Sequence, residues 1–326
     1  MRNHPQVITL GETMARFTPP NFERIGQSRQ VEIHVGGSES NTAVGLARLG
    51  HRVSWLSRMT DNPLGRWIVR EIGSQGVDIS HVVWTVEDRV GTYYLERGRA
   101  PRSSQVFYDR AGSAMSRMQP AELPVELFNS EARIFHTTGI TLGISPAAGQ
   151  TAARAVELSR AAGMRVSFDL NYRSRLWSTD AAYRACEPLL AAADYLFLPA
   201  RDANTVVGAT ATEPQAICRE LHRRWPNCTL LLTMGKAGAV AIEPSGEIHQ
   251  QSAFAAEEVE RLGGGDAFSA GFLSATLEGE NVGQALRWAC AAAAIKYTLP
   301  GDLPLLDRPM VTSLVESNSA SGEIRR

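Results

Sequence analysis

Short apolar runs alternate along the chain with longer stretches in which apolar residues recur every three or four positions. Unbroken runs are typical of strands that are buried on both faces, and the longer spacing is typical of amphipathic helices. The alternation predicts parallel βαβ units and an α/β fold rather than a sandwich. The predicted strands span residues 7–10, 53–57, 134–138, 166–170, 195–198, 229–233 and 239–242, and the predicted helices span residues 40–49, 64–73, 147–162, 181–192, 214–225, 267–278 and 282–297.

Two segments, residues 12–35 and 88–112, depart from this pattern. Polar and apolar residues alternate in both segments, with proline, glycine and asparagine between them, which is typical of exposed antiparallel strands and turns. We expect one small accessory sheet inserted into a single α/β domain that spans residues 1–316. Residues 317–326 are small and polar, so this tail is expected to be poorly ordered.

Composition and charge limit the classes of partner. Hydrophobic residues make up 44% of the 326 residues, which is enough for a full core. The 33 basic and 34 acidic residues give a net charge of −1, so the chain lacks the basic footprint of a protein that binds nucleic acid or an anionic membrane. The apolar runs are too short to span a membrane, and the four cysteines form no Cys-x-x-Cys pair. Because no signal peptide is visible, we expect a cytoplasmic protein.

The strongest local motif is the run Gly263, Gly264, Gly265 and Asp266, at the start of the predicted helix 267–278. Three residues without side chains leave their amides, and those of the first helical turn, free to converge on an anion. The positive end of the helix dipole favours an ionised Asp266, which could accept the proton of a hydroxyl that attacks phosphorus. Taken alone, the motif also fits an ordinary aspartate in the first turn of a helix after a flexible loop.

Two further glycine motifs fit the same type of ligand. Gly36 and Gly37 precede the predicted helix 40–49, where Asn41 can hydrogen-bond to hydroxyl groups. Two late strands are joined by a turn whose amides can contact phosphate or ribose, formed by Thr233, Gly235, Lys236 and Gly238. Each motif by itself also fits an ordinary turn. The chain has no Walker A sequence, no Rossmann glycine fingerprint and no His-Glu-x-x-His sequence, which argues against those nucleotide and zinc sites.

The order of the three motifs resembles that of the PfkB carbohydrate kinase family, which has the ribokinase-like fold, and the resemblance runs from residue 7 to residue 302. It implies a three-layer fold with a mostly parallel central sheet flanked by helices, and a lid over the sugar formed by the accessory strands. It also implies that residues 263–265 form the anion hole and that Asp266 is the catalytic base. The implied cofactors are ATP and Mg²⁺, with ATP near Thr233, Gly235, Lys236, Gly238, Gly263 and Gly265, and the sugar near Gly36, Gly37 and Asn41.

Three local matches, residues 169–177, 106–114 and 298–302, are similar to the 2-keto-3-deoxygluconate kinase branch, and the first is shared with the fructokinases. The matches imply ATP contacts from Asn171 and Arg173 and substrate contacts from Tyr94, Tyr108, Arg110, Arg173 and Asp302. The carboxylate of a sugar acid needs a planar cationic fork, which Arg110 on the lid can supply. Without the family match, Arg110 also fits a solvated charge on an exposed strand, and Arg173 fits a salt bridge with Asp169 or Asp109.

Two positions depart from the family pattern. Glu260 stands where the family usually has aspartate, which leaves open whether a monovalent cation such as K⁺ binds nearby. Residues 199–202 replace an Asn-x-x-Glu motif and begin with Pro199, so Asp202 is the expected organiser of Mg²⁺, through a water. A dimer through the lid is expected from its open strand edges, and a monomer stays open as the alternative.

The chemistry that these features predict is ATP-dependent phosphorylation of the primary hydroxyl of 2-keto-3-deoxygluconate or a related sugar acid by in-line phosphoryl transfer. Two alternatives remain at this point. One is a kinase for a neutral sugar of the fructose or ribose type. The other is a catalytically silent family member that only binds sugar.

Overall fold

The computed structural model describes residues 4–128 and 131–317 and contains two β-sheets with their helices. The strands are β1 (Val7–Leu10), β2 (Met14–Thr18), β3 (Glu32–Gly36), β4 (Val53–Thr60), β5 (Val82–Thr85), β6 (Thr92–Glu96), β7 (Gln105–Asp109), β8 (Ile134–Thr138), β9 (Arg165–Asp169), β10 (Tyr195–Pro199), β11 (Thr229–Thr233), β12 (Ala239–Ile242) and β13 (Ile248–Gln251). The helices are α1 (Ser38–Arg48), α2 (Pro63–Ser74), α3 (Val125–Phe128), α4 (Gly139–Ile144), α5 (Pro146–Ala161), α6 (Thr179–Ala192), α7 (Ala200–Thr205), α8 (Pro214–His222), α9 (Gly264–Leu277), α10 (Val282–Tyr297) and α11 (Arg308–Glu316).

The main sheet has the strand order β13-β12-β11-β10-β9-β8-β1-β4-β5 within the described residues. Neighbours from β5 to β11 run parallel, whereas β12 and β13 join one edge in antiparallel pairs. Parallel neighbours need crossover connections, and long helices supply most of them. Every strand that the apolar runs predict is present. The mostly parallel α/β architecture is therefore confirmed.

Alternate residues of the central strands enter two different hydrophobic cores. Val7 and Phe197 pack in one core with residues of α1, α9 and α10. Their neighbours Ile8 and Leu196 pack in the other core with residues of α5 and α6. Because successive side chains of a strand point to opposite faces, the two cores lie on opposite faces of the sheet. The fold thus has three layers, and the central strands are unbroken apolar runs because both of their faces are buried.

The second, smaller sheet has the order β3-β2-β6-β7. The pairs β2–β3 and β6–β7 are antiparallel, and β2 pairs with β6 in parallel. These strands lie in or directly beside the two segments predicted as accessory strands, so the expected second sheet is confirmed. Burial alternates along β6, where Tyr93 and Leu95 are buried and Tyr94 is half-buried.

The apolar and helical patterns do not predict β5, β13, α3, α4, α7 or α11. Strands β5 and β13 lie at the edges of the main sheet and are partly exposed. Strand β13 has the sequence Ile-His-Gln-Gln and lacks the apolar run of a central strand, whereas β5 has the short apolar run Val82–Trp84, which the prediction missed. Helices α4 and α7 have 6 residues each, which is too short to reveal helical periodicity. From residue 318 onward, the predicted tail lies outside the described residues. No helix in the described ranges has the length and apolar character needed to cross a bilayer.

Candidate active site

Three adjoining cavities lie where β1, β8, β9, β10 and β11 end, at the edge where open α/β sheets bind ligands. The front cavity, about 520 Å³, is lined by residues that include Glu12, Ser38, Asn41, Tyr93 and Arg110. The middle cavity, about 670 Å³, is lined by residues that include Asp169, Asn171, Pro199, Gly265 and Ser269. The rear cavity, about 510 Å³, is lined by residues that include Thr233, Gly238, Phe254, Gly264 and Tyr297. Concave sites at this edge of an α/β sheet are typical binding places for small molecules.

Asp266 lines both the front and the middle cavity. Its two carboxylate oxygens accept hydrogen bonds from the first two turns of α1, one from Ser38 Oγ at 2.6 Å and one from Asn41 Nδ2 at 2.7 Å. Burial raises the pKa of Asp266, and these two hydrogen bonds oppose the rise. The raised pKa runs against the expectation of an Asp266 held in its ionised form, because burial outweighs the two hydrogen bonds. A carboxylate with a raised pKa is a better proton acceptor at neutral pH.

The glycine loop opens α9 beside Asp266. Gly263 has φ of 77°, in the left-handed region, and α9 begins at the next residue. A Cβ atom on Gly263 would lie 1.9 Å from the Asp302 carbonyl oxygen, so only glycine fits there. Gly265 lines the middle and rear cavities, and a Cβ atom there would meet no atom within 4 Å. Open space therefore adjoins residue 265 at the start of α9, where a helix N-terminus favours an anion. The Gly264 N–H is already engaged, because it donates to the Arg261 carbonyl oxygen at 3.2 Å.

Arg173 lines the front and middle cavities together with Asp266. Its Nη1 atom donates to the backbone oxygens of Asn171 at 3.5 Å and of Tyr172 at 3.2 Å. The salt bridge with Asp169 or Asp109 that the sequence left as an alternative is not among the ion pairs of the described residues. The guanidinium thus reaches the boundary between two cavities, where its charge acts to lower the pKa of both Asp169 and Asp266 against the effect of burial.

Asn171 joins the middle cavity to the network around Asp266. Its φ of 43° is unusual for a non-glycine residue, and two contacts hold it there. The Asn171 backbone N–H donates to Asp169 Oδ1 at 2.9 Å, and Nδ2 donates to Ser38 Oγ at 2.7 Å. Burial, followed by the negative charge of Asp266, raises the pKa of Asp169 to about 8. The middle cavity is therefore a place where a bound cation would relieve negative charge.

Arg110 lies in the front cavity, as the sequence predicts, but it already has a partner. Its Nη2 atom donates to Glu12 Oε2, and both side chains are buried. The guanidinium also lies over the Tyr108 ring, 5.8 Å from its centroid. In the described structure Arg110 is therefore half of a buried ion pair and not the solvated surface charge that was the alternative.

The second sheet places Tyr93, and not Tyr94, in the front cavity. Tyr94 lies on the other face of β6 and stacks on Phe17, with ring centroids 5.5 Å apart. This corrects the substrate contact expected of Tyr94, because adjacent strand residues point to opposite faces. A Cβ atom on Gly36 would lie 2.2 Å from the Tyr93 hydroxyl oxygen, so the Tyr93 side chain reaches the backbone of β3 only because residue 36 is glycine.

Asp302 borders the front cavity, but both of its carboxylate oxygens have protein partners. Oδ1 accepts from Arg16 Nη1 at 2.6 Å, and Oδ2 accepts from the Tyr93 hydroxyl. Arg16 is fully buried and also forms an ion pair with Glu260. Asp302 therefore stabilises the wall of the cavity, and its oxygens are already engaged by protein donors.

The turn after β11 supplies Thr233, Gly235 and Gly238 to the rear cavity. Lys236, in the same turn, is exposed and does not line any of the three cavities. Asp202 is buried in the first turn of α7, where Oδ1 accepts from Arg201 Nε at 3.0 Å. It does not line the cavities either, and its negative charge acts on Asp169.

Several residues of the site were not identified from the sequence, among them Glu12, Ser38, Glu39, Tyr93 and Lys296. Glu39 anchors α1, because its carboxylate accepts from Thr138 Oγ1 at 2.8 Å and from Thr141 Oγ1 at 2.6 Å. Glu12 could have been found from its position just after β1, since the carboxyl ends of parallel strands carry the ligand site. Lys296 lies in a helix whose small apolar residues predict only core packing.

Comparisons with known proteins agree over nearly the whole chain. The pfkB family carbohydrate kinase pattern matches residues 4–307. A 2-dehydro-3-deoxygalactonokinase of Haloferax volcanii is 38% identical over 315 residues, which are 97% of this chain and 98% of that protein. A 2-dehydro-3-deoxygluconokinase of Thermoproteus tenax is 31% identical over 306 residues, which are 93% of this chain and 91% of that protein.

A solved structure shows the same architecture. The 2-dehydro-3-deoxygluconokinase of Thermotoga maritima superposes with a TM-score of 0.91 at 28% identity, over 96% of this chain and 100% of that one. The similarity in sequence and in fold extends over the segments that form the glycine loop, the cavities and the second sheet. The chain therefore belongs to the pfkB family of carbohydrate kinases, which have the ribokinase-like fold and are phosphotransferases with an alcohol group as acceptor.

Proposed function

We propose that this protein catalyses ATP-dependent phosphorylation of the primary hydroxyl of a 2-dehydro-3-deoxy sugar acid, of which 2-keto-3-deoxygluconate is one. The observation that carries the proposal is the position of Asp266 at the boundary between the front and middle cavities. An acceptor in the front cavity and a phosphate chain in the middle cavity would both contact this carboxylate. The names of the relatives from Haloferax, Thermoproteus and Thermotoga support the substrate class.

In the proposed reaction Asp266 accepts the proton of the attacking hydroxyl while the γ-phosphoryl group transfers in line. The amides that begin α9 stabilise the negative charge that develops on the phosphoryl oxygens. Arg173 borders the same two cavities and would add positive charge where donor and acceptor meet. Most of the catalytic effect then comes from positioning and electrostatics, because the protein forms no covalent intermediate.

The nucleotide would occupy the rear and middle cavities, which share Thr233, Gly265 and Phe268. The residues near the middle cavity fit Mg²⁺, because Asp169 lines that cavity and Asp202 adds a second carboxylate nearby. Carboxylates and waters are the ligands that Mg²⁺ prefers. Asp169 and Asp202 would hold the ion, Asp202 through a water, and the ion would neutralise phosphate charge when bound.

Arg110 and Arg173 are the proposed partners of the substrate carboxylate in the front cavity. Arg110 Nε and Glu12 Oε1 are buried and have no hydrogen-bond partner among the described residues, so a polar ligand in this cavity could bind to both. The Glu12 carboxylate balances the charge of Arg110 in the absence of substrate. A substrate that offers both a carboxylate and hydroxyls would satisfy both orphaned atoms.

A substrate panel tests this proposal. The gluconate and galactonate forms of the 2-dehydro-3-deoxy acid, fructose and ribose are compared by kcat/KM from ADP release. We expect both acids to exceed the neutral sugars, and the 38% identity to the Haloferax galactonokinase makes the galactonate form the second candidate. A neutral sugar with the highest kcat/KM would overturn the acid assignment. The absence of ADP release with every sugar would instead favour a catalytically silent sugar-binding protein.

One pair of variants isolates the carboxylate contact. Because a hydrogen bond to a charged group contributes about 1.5–3 kcal/mol, Arg110→Gln should raise KM for the acid roughly tenfold to hundredfold. Arg89 is the matched control, since it also forms an ion pair from beside the second sheet, with Asp109 at 2.6 Å, but does not line the front cavity. Arg89→Gln should leave KM unchanged.

We further propose a homodimer through the second sheet in the cytoplasm, where ATP is available. The sheet exposes Ile33 and Phe107 on its two edge strands, at 47% and 39% of their surface. Exposed apolar side chains on open strand edges are commonly covered by a partner. Light scattering on the purified protein and on Ile33→Glu tests this, with a monomer in both samples as the contradicting result.

A further inference from the structure

A cluster of buried charges lies directly behind the glycine loop. Its members are Arg16 and Lys296 on the positive side and Glu260 and Asp302 on the negative side. Lys296 is one of only two lysines among the 33 basic residues of the chain, and its side chain is fully buried. Burial lowers the pKa of Lys296, and the charges of Glu260 and Asp302 oppose this effect. Burying an ammonium group costs free energy because the charge loses its hydration, so we expect a lysine at this position to have a specific role.

Lys296 contacts two chain segments that meet under the glycine loop. It projects from the last turn of α10, and its Nζ donates to the Leu299 carbonyl oxygen at 3.1 Å. A Cβ atom on Gly263 would lie 3.1 Å from Lys296 Cε, so the lysine side chain packs directly against the loop. The segment before the loop is fixed to the same helix end, because Val259 N–H donates to the Tyr297 carbonyl oxygen at 2.8 Å.

The two carboxylates of the cluster are already paired. Glu260 accepts from Arg16 and, through Oε2, from the Gly301 backbone N–H at 2.9 Å. Asp302 accepts from Arg16 at 2.6 Å. Two cations, Arg16 and Lys296, therefore balance two carboxylates without any added ion. The family resemblance left open whether a monovalent cation binds near Glu260. The residues of this cluster do not fit such an ion, because the carboxylate oxygens already accept hydrogen bonds and Lys296 already supplies a positive charge there.

We propose that the Lys296 ammonium takes the place of a monovalent cation in this kinase: it holds the glycine loop in its anion-binding conformation and makes the enzyme independent of K⁺. Lys296 is then a positioning residue, since it acts on the phosphoryl group through the loop and does not touch it. The turnover part of this inference rests on the proposed kinase function. The cation part does not, because ion binding can be measured without a substrate.

The first experiment uses the unmodified protein. Thermal unfolding and ADP release are measured in KCl and in tetramethylammonium chloride at equal ionic strength. We expect the same melting temperature in both salts and a turnover that differs by less than about twofold. A saturable rise of the melting temperature with K⁺, or activation by K⁺ of about tenfold or more, would overturn the proposal. If no sugar acid supports ADP release, the proposed function fails, and the melting comparison still decides the cation question.

The second experiment replaces the charge by an apolar side chain of similar length. In Lys296→Met we expect kcat to fall about a hundredfold, the scale on which loss of one stabilising group of an anion hole is felt. KM for the sugar acid should change less than about threefold, because the front cavity does not include Lys296. Arg154→Met is the control, since it removes an exposed positive charge on α5 that pairs with Glu157 at 2.9 Å, and its turnover should equal that of the wild type. A kcat for a folded Lys296→Met within threefold of the wild type would contradict the role of the ammonium. Should that variant not fold, the salt comparison on the unmodified protein still decides.

Discussion

The Ser38 hydroxyl donates a hydrogen bond to Asp266 Oδ1 at 2.6 Å and accepts one from Asn171 Nδ2 at 2.7 Å. One hydroxyl therefore links the proposed base at the start of α9 to the segment that follows β9. Asn41, one turn further along α1, binds the other oxygen of Asp266 at 2.7 Å. Two side chains of α1 therefore orient the proposed base and lower its pKa. The Ser38 hydroxyl also links the base to the segment that carries Asn171 and Arg173.

Ser38→Ala should shift the pH dependence of the reaction. The Ser38 hydrogen bond lowers the pKa of Asp266 against the effect of burial, so its loss raises that pKa further. The base is then protonated at a higher pH, and the acidic limb of the kcat/KM profile moves to higher pH. On that limb kcat/KM should fall roughly tenfold or more, the scale of a hydrogen bond to a charged group. Ser38→Thr keeps the hydroxyl and is the control, and an unmoved limb in Ser38→Ala would contradict this role.

Asp266→Asn should abolish most of the turnover while leaving ATP binding in place. The amide cannot accept the hydroxyl proton, and removing a general base costs roughly a hundredfold to ten-thousandfold in rate. The melting temperature should stay equal or rise, because the replacement removes a buried carboxylate whose pKa burial raises. Steady-state kinetics and calorimetric titration with ATP measure the two effects. Turnover near that of the wild type would remove Asp266 from the role of base.

The central strands could be predicted from the sequence because burial on both faces leaves a continuous apolar run. In β10 and β11 this signal fixes position and length almost to the residue. The glycine loop was visible as well, but taken alone it also fitted an ordinary helix start, and the order of the three glycine motifs along the chain was needed to interpret it. These features depend on local sequence, so a pattern of neighbouring residues is sufficient to find them.

The rest depends on contacts that no local pattern contains. Arg16 pairs with Glu260 and Asp302, which are 244 and 286 residues away in sequence. Which of Tyr93 and Tyr94 faces the cavity depends on which face of the sheet each residue of β6 points to. Because both residues are tyrosines, the sequence pattern is the same in either case. Arg110 lines the front cavity, and its pairing with Glu12 depends on how the second sheet packs over the end of β1.

Gly265→Ala and Gly263→Ala should separate ligand binding from folding. A methyl group on Gly265 meets no protein atom within 4 Å and projects into open space where the middle and rear cavities meet. The variant should melt within a few degrees of the wild type but raise KM for ATP about tenfold, because the methyl group occupies the proposed anion hole.

Gly263→Ala tests the opposite case, in which the substitution affects folding and not ligand binding. Gly263 has a positive φ, and its added Cβ atom would collide with the Asp302 carbonyl oxygen, so Gly263→Ala should lower the free energy of unfolding by about 1–3 kcal/mol or more. Melting temperature and KM for ATP are measured on both variants. A Gly265→Ala protein with unchanged ATP kinetics would show that the space at residue 265 is not used by the nucleotide.

His136, in β8, should make the protein less stable as the pH falls. Its ring is buried beside Phe197, with Nδ1 at 2.9 Å from Ser167 Oγ, and burial lowers the pKa of His136 from 6.5 to about 3. Between these two pH values the unfolded chain binds a proton at this residue and the folded protein does not. The free energy of unfolding therefore falls with decreasing pH by up to about 1.4 kcal/mol per pH unit from this residue alone.

His136→Gln removes that proton uptake, so its unfolding free energy should depend less steeply on pH than that of the wild type. Urea unfolding at pH 7, 6 and 5 measures both slopes, and the contributions of all other groups cancel in the difference. The gap in stability between wild type and variant should shrink steadily below about pH 6, because only the wild type loses stability through this residue. The same replacement at the exposed His4 is the control and should reproduce the wild-type slope. Parallel slopes for the wild type and His136→Gln would mean that the buried imidazole is not kept neutral by the fold.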